Sequence, residues 1–167
     1  MDNWLETDDG SVTSFSHNNL NQYTSVSGVS YSYDLNGNLT NDGIHKYYYD
    51  CENRLTDVNG QNNNRIASYK YDHLGRRTEK TVYDLPDITT KYCYDGDQVI
   101  AEYENGSLVR KYLYGPGIDE PICMIDVAGG ARYYYHYDGL GSVVALSNNN
   151  RTIVEQYRYS VFGTPSI

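Results

Sequence analysis

Little in this sequence would build an ordinary hydrophobic core. It has one Trp, two Phe and two Met, and Leu, Ile, Val and Phe together make up about one residue in five of the 167. That composition borders on the one that leaves chains disordered. No apolar run approaches the length of a membrane span, and the first thirty residues lack the basic-then-apolar order of an export signal. Lys and Arg are outnumbered 13 to 22 by Asp and Glu, a net charge of −9. Nucleic acid is therefore a poor partner, because neutralising phosphates takes clustered basic side chains. The one basic pair, Arg76-Arg77, is flanked by Asp72 and Glu79 and reads as a solvated strand face. The cysteines are odd in number (Cys51, Cys93, Cys123) and form no CxxC pair. They make neither a disulfide framework nor a zinc site and are expected as small, half-buried residues.

Catalytic signatures are missing as well. His17, His45, His73 and His136 show no ligand spacing. Gly141-Ser142 lacks the G-x-S-x-G elbow, and no glycine loop could cradle a phosphate. Calcium-binding loops need several oxygen ligands each, whereas the acidic positions here stand beside Leu, His or Cys. No catalytic, cofactor or metal site is expected, and the chain is not expected to be an enzyme.

Tyrosine is abundant instead, at 20 residues, and it is regularly placed. A Tyr-x-Tyr-Asp unit starts at Tyr31-Ser-Tyr33-Asp34 and recurs at Tyr47-Tyr-Tyr49-Asp50, Tyr69-Lys-Tyr71-Asp72 and Tyr92-Cys-Tyr94-Asp95. A looser copy follows at Tyr112-Leu-Tyr114, and the last two stand at Tyr135-His-Tyr137-Asp138 and Tyr157-Arg-Tyr159, so that seven stand 16 to 23 residues apart. Self-similarity at such a period defines a repeat architecture. Tyrosines at i and i+2 share one face of a strand, where cross-strand aromatic pairs contribute roughly 0.2–1 kcal/mol each. The Asp after them can accept main-chain N–H bonds and start a turn. Three residues on, Gly37, Asn53, Gly75 and Gly141 suit a position of positive φ.

Each unit thus predicts a strand, a tight turn and a return strand, and the fold class is all-β without substantial helix. Asn59-Gly60, Asn105-Gly106 and Gly129-Gly130 mark turns between hairpins, and Gly115-Pro116-Gly117 a wider loop. Residues 108–114 and 152–159 read as single strands. Residues 1–22, polar with only Trp4 and Phe15 as aromatics, are expected to be poorly ordered. Residues 23–130 form the hairpin array and 131–167 its terminal cassette. The tyrosines must supply much of the core. An exposed tyrosine platform for glycans is the alternative, and glycan is the ligand a binding role would take.

The segments 31–40, 47–56 and 69–78 resemble the YD repeats of bacterial RHS proteins, shared with animal teneurins and the C components of insecticidal toxin complexes. Tyr135-His-Tyr-Asp-Gly-Leu-Gly-Ser-Val-Val-Ala-Leu, continued at Glu155-Gln-Tyr-Arg-Tyr-Ser-Val-Phe-Gly163, resembles the RHS repeat-associated core region. The resemblance covers residues 20–165. It implies hairpins joined edge to edge into a spiralling sheet, a segment of a YD-shell whose relatives enclose a C-terminal toxin. The implied partners are neighbouring repeats, the rest of a larger shell and an encapsulated toxin. The implied location is secreted or at a bacterial cell surface. In many members the core region leads to a DPxG-like autoproteolytic motif. Phe162-Gly-Thr-Pro-Ser-Ile167 stops short of any such motif, so a wall segment without cleavage machinery is expected.

Overall fold

A computed structural model describes residues 14–160, 163 and 165–167. The described residues contain strands and turns and no helix. The chain divides into two compact units, Met1–Ile88 and Thr89–Ile167.

In the first unit, β1 (Phe15–His17), β2 (Tyr23–Val26) and β3 (Val29–Ser30) form a three-stranded sheet in that order. Next come β4 (Ser32–Tyr33), β5 (Leu39–Asn41), β6 (His45–Tyr49), β7 (Leu55–Gly60), β8 (Arg65–Tyr71) and β9 (Arg77–Val82), a sheet in sequence order. Every pairing is antiparallel. β1 and β2 pair across the 18–22 turn, so residues 15–26 form a hairpin of the same kind as the rest, against the poor order expected up to residue 22; that expectation for residues 1–13 lies outside the described residues.

The second unit repeats the plan. β10 (Ile88–Asp95), β11 (Gln98–Glu104), β12 (Ser107–Tyr114), β13 (Pro121–Asp126), β14 (Arg132–Tyr137), β15 (Val143–Ser147) and β16 (Ile153–Gln156) form an antiparallel sheet in sequence order. β17 (Arg158–Tyr159) pairs with β18 (Pro165–Ser166). The stretch 152–159, expected as one strand, is thus interrupted at Tyr157, whose N–H is given to the Val144 carbonyl at 2.9 Å.

Neighbouring strands are joined by turns short enough to fix register. Ser27-Gly28 and Asn105-Gly106 are two-residue turns with both φ positive (47° and 80°, 48° and 85°), as type I′ requires. The Asn59-Gly60 signal is misplaced by one step. Gly60 ends β7, its N–H bonds the Asn64 carbonyl at 2.9 Å, and Asn63 takes the positive φ of 62°. Lys46 holds that turn by reaching the Gln61 carbonyl at 3.1 Å and Asn63 Oδ1 at 2.8 Å.

Each sheet is one layer, and this decides what its core can be. Ala67, Cys123, Ala145 and Leu146 are the buried apolar residues among those described, and no large side chain is fully buried. Direct pairing places Tyr47, Val58, Ala67 and Val82 on one face, with Tyr49, Tyr69, Tyr71 and Leu55. The tyrosines supply this face at half burial; Tyr48 and Tyr159 are exposed. The cysteines depart from their expected burial. Cys123 is buried, whereas Cys51 tips a turn and Cys93 points away from its flanking tyrosines, both exposed.

Candidate functional site

The functional unit built by the repeat is the turn together with the tyrosine before it. Six turns share one geometry, starting at Asn18, Asp34, Asp50, Asp72, Asp138 and Asn148. In each, the N–H of the first residue bonds the carbonyl of the fifth at 2.9–3.0 Å, and the N–H of the fourth bonds the carbonyl of the first at 3.0–3.2 Å. The side-chain Oδ1 of the first residue accepts the third residue's N–H at 2.9 Å and the fifth's at 2.8–3.1 Å. The fourth residue is left-handed throughout: Asn21 62°, Gly37 88°, Asn53 61°, Gly75 82°, Gly141 87° and Arg151 61°.

The predicted Asp and Gly or Asn roles hold at four turns. Asn18 and Asn148 do the same work without having signalled it. Asp95 differs, because Gly96 already supplies a positive φ of 57° and the hairpin closes through two residues onto Gln98.

The carboxylates of these turns are held below their ordinary range. For Asp34 the Asn38 amide is the main cause, with N–H donors added. For Asp50 and Asp138 the leading cause is the fifth residue's N–H. At Asp72 burial pushes upward, and the Arg76 side chain with the turn N–H groups outweighs it. Arg54 Nε and Arg76 Nε stand 2.7 Å from the second oxygens of Asp50 and Asp72. Arg76 is therefore an ion-paired turn residue, not part of a solvated strand face. Arg77 does lie exposed, its guanidinium 5.7 Å from the Tyr69 ring.

Beside each turn the ladder carries a bulge. Tyr33 pairs with Leu39, Tyr49 with Leu55, Tyr71 with Arg77, Tyr94 with Val99, Tyr114 with Pro121 and Tyr137 with Val143, and in each hairpin the next return-strand residue is skipped. Bulges of this kind bend a strand and increase its twist.

The second tyrosine of the repeat crosses to the preceding hairpin. Its hydroxyl donates to a main-chain carbonyl: Tyr33 to Tyr23 at 2.9 Å, Tyr49 to Leu39 at 2.9 Å, Tyr71 to Leu55 at 2.8 Å, Tyr114 to Val99 at 3.0 Å, Tyr137 to Pro121, and Tyr159 to Val143 at 2.7 Å. Each acceptor immediately precedes the skipped residue of its hairpin. Burial raises the phenol pKa of Tyr33, Tyr49, Tyr71, Tyr114 and Tyr137. These hydroxyls accordingly stay protonated, the form that can donate.

A second tie runs between turns of the first unit. Gln22 Nε2 reaches the Gly37 carbonyl at 3.5 Å, Asn38 Nδ2 reaches Asn53 Oδ1 at 2.8 Å, and Arg54 Nη1 reaches the Asp72 carbonyl at 3.1 Å. The Arg54 guanidinium also lies 5.0 Å over the Tyr71 ring. The first tyrosines have more varied roles. The Tyr47 hydroxyl donates to Asp42 Oδ2 at 2.7 Å, and Asp42 Oδ1 takes the N–H groups of Ile44 and His45 at 2.8 and 2.6 Å. Burial pushes the Asp42 pKa upward, but these donors outweigh it and lower it to about 2. Tyr47 is pushed up to about 12 by burial and by the Asp42 bond.

In the second unit Tyr92, Glu102, Arg110 and Asp126 lie opposite one another in one row. Arg110 Nη1 bridges Glu102 at 2.9 Å and Glu104 at 3.3 Å. Burial, then the Glu102 charge, raises the Tyr112 pKa.

His136 is bonded to Ser147 Oγ at 2.7 Å, and His73 lies exposed in a turn. Among the described residues no group of three His, Cys, Asp or Glu could hold a metal.

Comparison with known proteins agrees with the geometry. The family model described as Teneurin YD-shell matches residues 2–166. The tRNA3(Ser)-specific nuclease WapA of Bacillus spizizenii is 37% identical over 155 residues, 90% of this chain and 6% of that protein. The tRNA nuclease WapA of Bacillus subtilis strain 168 shows the same identity and coverage. The chain thus spans about one-sixteenth of the length of these relatives, 6%.

Proposed function

The chain belongs to the teneurin YD-shell family, and from that premise we propose that it acts as a non-catalytic wall segment. Its hairpins carry a larger shell that encloses or presents a toxin in a bacterial protein associated with the cell surface. The observation that carries this is the tyrosine hydroxyl spent, in six consecutive-hairpin contacts, on the main chain of the neighbour. A side chain used in that way is structural. It also counts against a glycan platform, where hydroxyls and ring faces must be free for the sugar. The relatives named as tRNA nucleases supply the association with toxins.

The test uses the full-length protein that carries this segment. Its toxin-bearing region is assayed for protease resistance with the segment intact and with Tyr49 and Tyr71 both changed to Phe. Protection that weakens in the variant supports a wall role, and protection unchanged in a demonstrably loosened variant opposes it. The isolated chain, incubated with tRNA, is expected to leave it intact; cleavage would overturn the non-catalytic assignment.

A further inference from the structure

Three Asn-Gly steps occur in the sequence, and the fold treats them differently. An Asn-Gly step is the one most open to intramolecular attack by the glycine main-chain nitrogen on the Asn side-chain carbonyl, since no Cβ hinders ring closure. In the Asn36-Gly37 step the Gly37 N–H is committed to the Asp34 carbonyl at 3.1 Å. At Asn59-Gly60 the Gly60 N–H is committed to the Asn64 carbonyl at 2.9 Å, and the Asn59 side-chain oxygen is buried without any donor. Asn105-Gly106 is exposed at a two-residue turn, with open space where a Gly106 Cβ would stand. No hydrogen bond engages the Gly106 N–H among the described residues.

We propose that Asn105 is a site of spontaneous deamidation that converts the 104–107 turn to an isoaspartyl form. The Thr89 N–H donates to Asn105 Oδ1 at 2.9 Å. A donor there draws electron density from Cγ and stabilises the oxyanion that forms as nitrogen adds, the same contribution a donor makes in an oxyanion hole.

The steps balance without redox chemistry. The Gly106 nitrogen bonds to Asn105 Cγ and loses its proton to solvent, the bond from Cγ to the side-chain amide nitrogen breaks, and ammonia leaves. Water then opens the resulting succinimide at either carbonyl, giving aspartate or isoaspartate. Isoaspartate adds a methylene to the main chain. Asn105 clamps Thr89 twice, through Oδ1 and through its own N–H on the Thr89 carbonyl at 2.9 Å. A longer main chain at residue 105 cannot keep both bonds, so the start of β10 loosens.

The experiment incubates the folded chain in mildly alkaline buffer at physiological temperature, with a parallel sample in concentrated urea. Both are mapped by mass spectrometry with fragmentation that separates aspartate from isoaspartate. The expected result is product at Asn105 about tenfold faster than at Asn36 or Asn59 in the folded chain, because their glycine N–H groups must first open. In urea the three steps should converge to similar rates. Amide exchange at Thr89 should quicken in the modified fraction. Equal rates in the folded chain, or faster reaction at Asn36 or Asn59, would overturn the proposal, as would an isoaspartyl fraction with unchanged Thr89 exchange.

Discussion

Changing Tyr71 to Phe isolates the hydroxyl tie from everything else the side chain does. The ring stays on its face beside Leu55 and under the Arg54 guanidinium, 5.0 Å from the centroid. Only the 2.8 Å bond to the Leu55 carbonyl is lost. A hydrogen bond of this kind contributes about 0.5–1.5 kcal/mol net, and an acceptor left unpaired in a half-buried setting adds to the loss. The expected destabilisation is about 1–2 kcal/mol, read as a lower urea midpoint with an unchanged slope. Tyr48 is the internal control. It neighbours Tyr49 in β6 but faces the other way, pairs with Asp57 and is 44% exposed. Tyr48→Phe should stay within about 0.5 kcal/mol of the parent. Tyr49→Phe should match Tyr71→Phe, and the double variant should lose about the sum, since the Leu39 and Leu55 acceptors are separate. If Tyr71→Phe and Tyr48→Phe proved indistinguishable, the tie would be incidental and the account of the repeat wrong.

Alkali should act together on the ties of Tyr33, Tyr49, Tyr71, Tyr114 and Tyr137. The tied phenols have folded pKa values raised above the ordinary 10, so their contribution is complete below that pH and lost as pH rises through the folded values. Circular dichroism and tyrosinate absorbance should therefore change together above pH 10; tyrosinate forming without unfolding would contradict this. Acid acts on the turns with the opposite sign. Asp34, Asp50, Asp72 and Asp138 are depressed and Asp42 lies at about 2, so stability present above the unfolded value of 3.8 is lost as pH falls below it. Asp50→Ala removes the side-chain oxygen that accepts two turn N–H groups and should lower the urea midpoint, while Asp50→Asn should keep most of the turn and lose only the Asp50 share of the acid sensitivity, measured by urea unfolding across pH. Arg151 holds φ 61° as a side-chain-bearing residue, so Arg151→Gly should raise stability by up to about 1 kcal/mol in the same assay, whereas Gly75→Val, at φ 82°, should lower it by at least as much.

How far these features could be foreseen depended on where their signal lay. A turn needing a side-chain acceptor and a left-handed fourth residue writes both requirements into side chains, so Asp34…Gly37, Asp50…Asn53, Asp72…Gly75 and Asp138…Gly141 were legible. Asn18…Asn21 and Asn148…Arg151 escaped because neither follows a Tyr-x-Tyr pair and because Arg is an unexpected residue at positive φ. The amide oxygen of Asn serves as well as a carboxylate there. The hydroxyl ties were hidden for another reason: their acceptors are main-chain carbonyls, which every residue possesses. The recurring pairs Leu39-Thr40 and Leu55-Thr56 were the nearest available trace, since the first supplies the carbonyl and the second is the skipped residue. The break at Tyr157 could not be read from residues 152–159 alone, because it depends on which strand pairs with 158 and 159.

The hydroxyl ties also explain why tyrosine rather than leucine or phenylalanine fills this sequence. A single-layer sheet cannot bury a large side chain completely, and among the described residues none is fully buried. An aliphatic at those positions would leave apolar surface in water and form no directional contact with the neighbouring hairpin. Tyrosine tolerates half burial, because its ring covers the main chain while its polar end finds a partner. Placed two residues apart, two tyrosines share a face, and the second reaches the carbonyl beside the preceding bulge. A bulge disturbs the ladder locally, and the hydroxyl supplies a hydrogen bond at that same carbonyl position. Tyrosine abundance, bulge and turn are therefore one device. This makes a definite demand on any aliphatic replacement: Tyr71→Leu should cost more than Tyr71→Phe, through lost ring contact with Arg54 as well as the missing bond. Equal losses in urea unfolding would show that the ring contributes nothing and that the hydroxyl alone selects tyrosine.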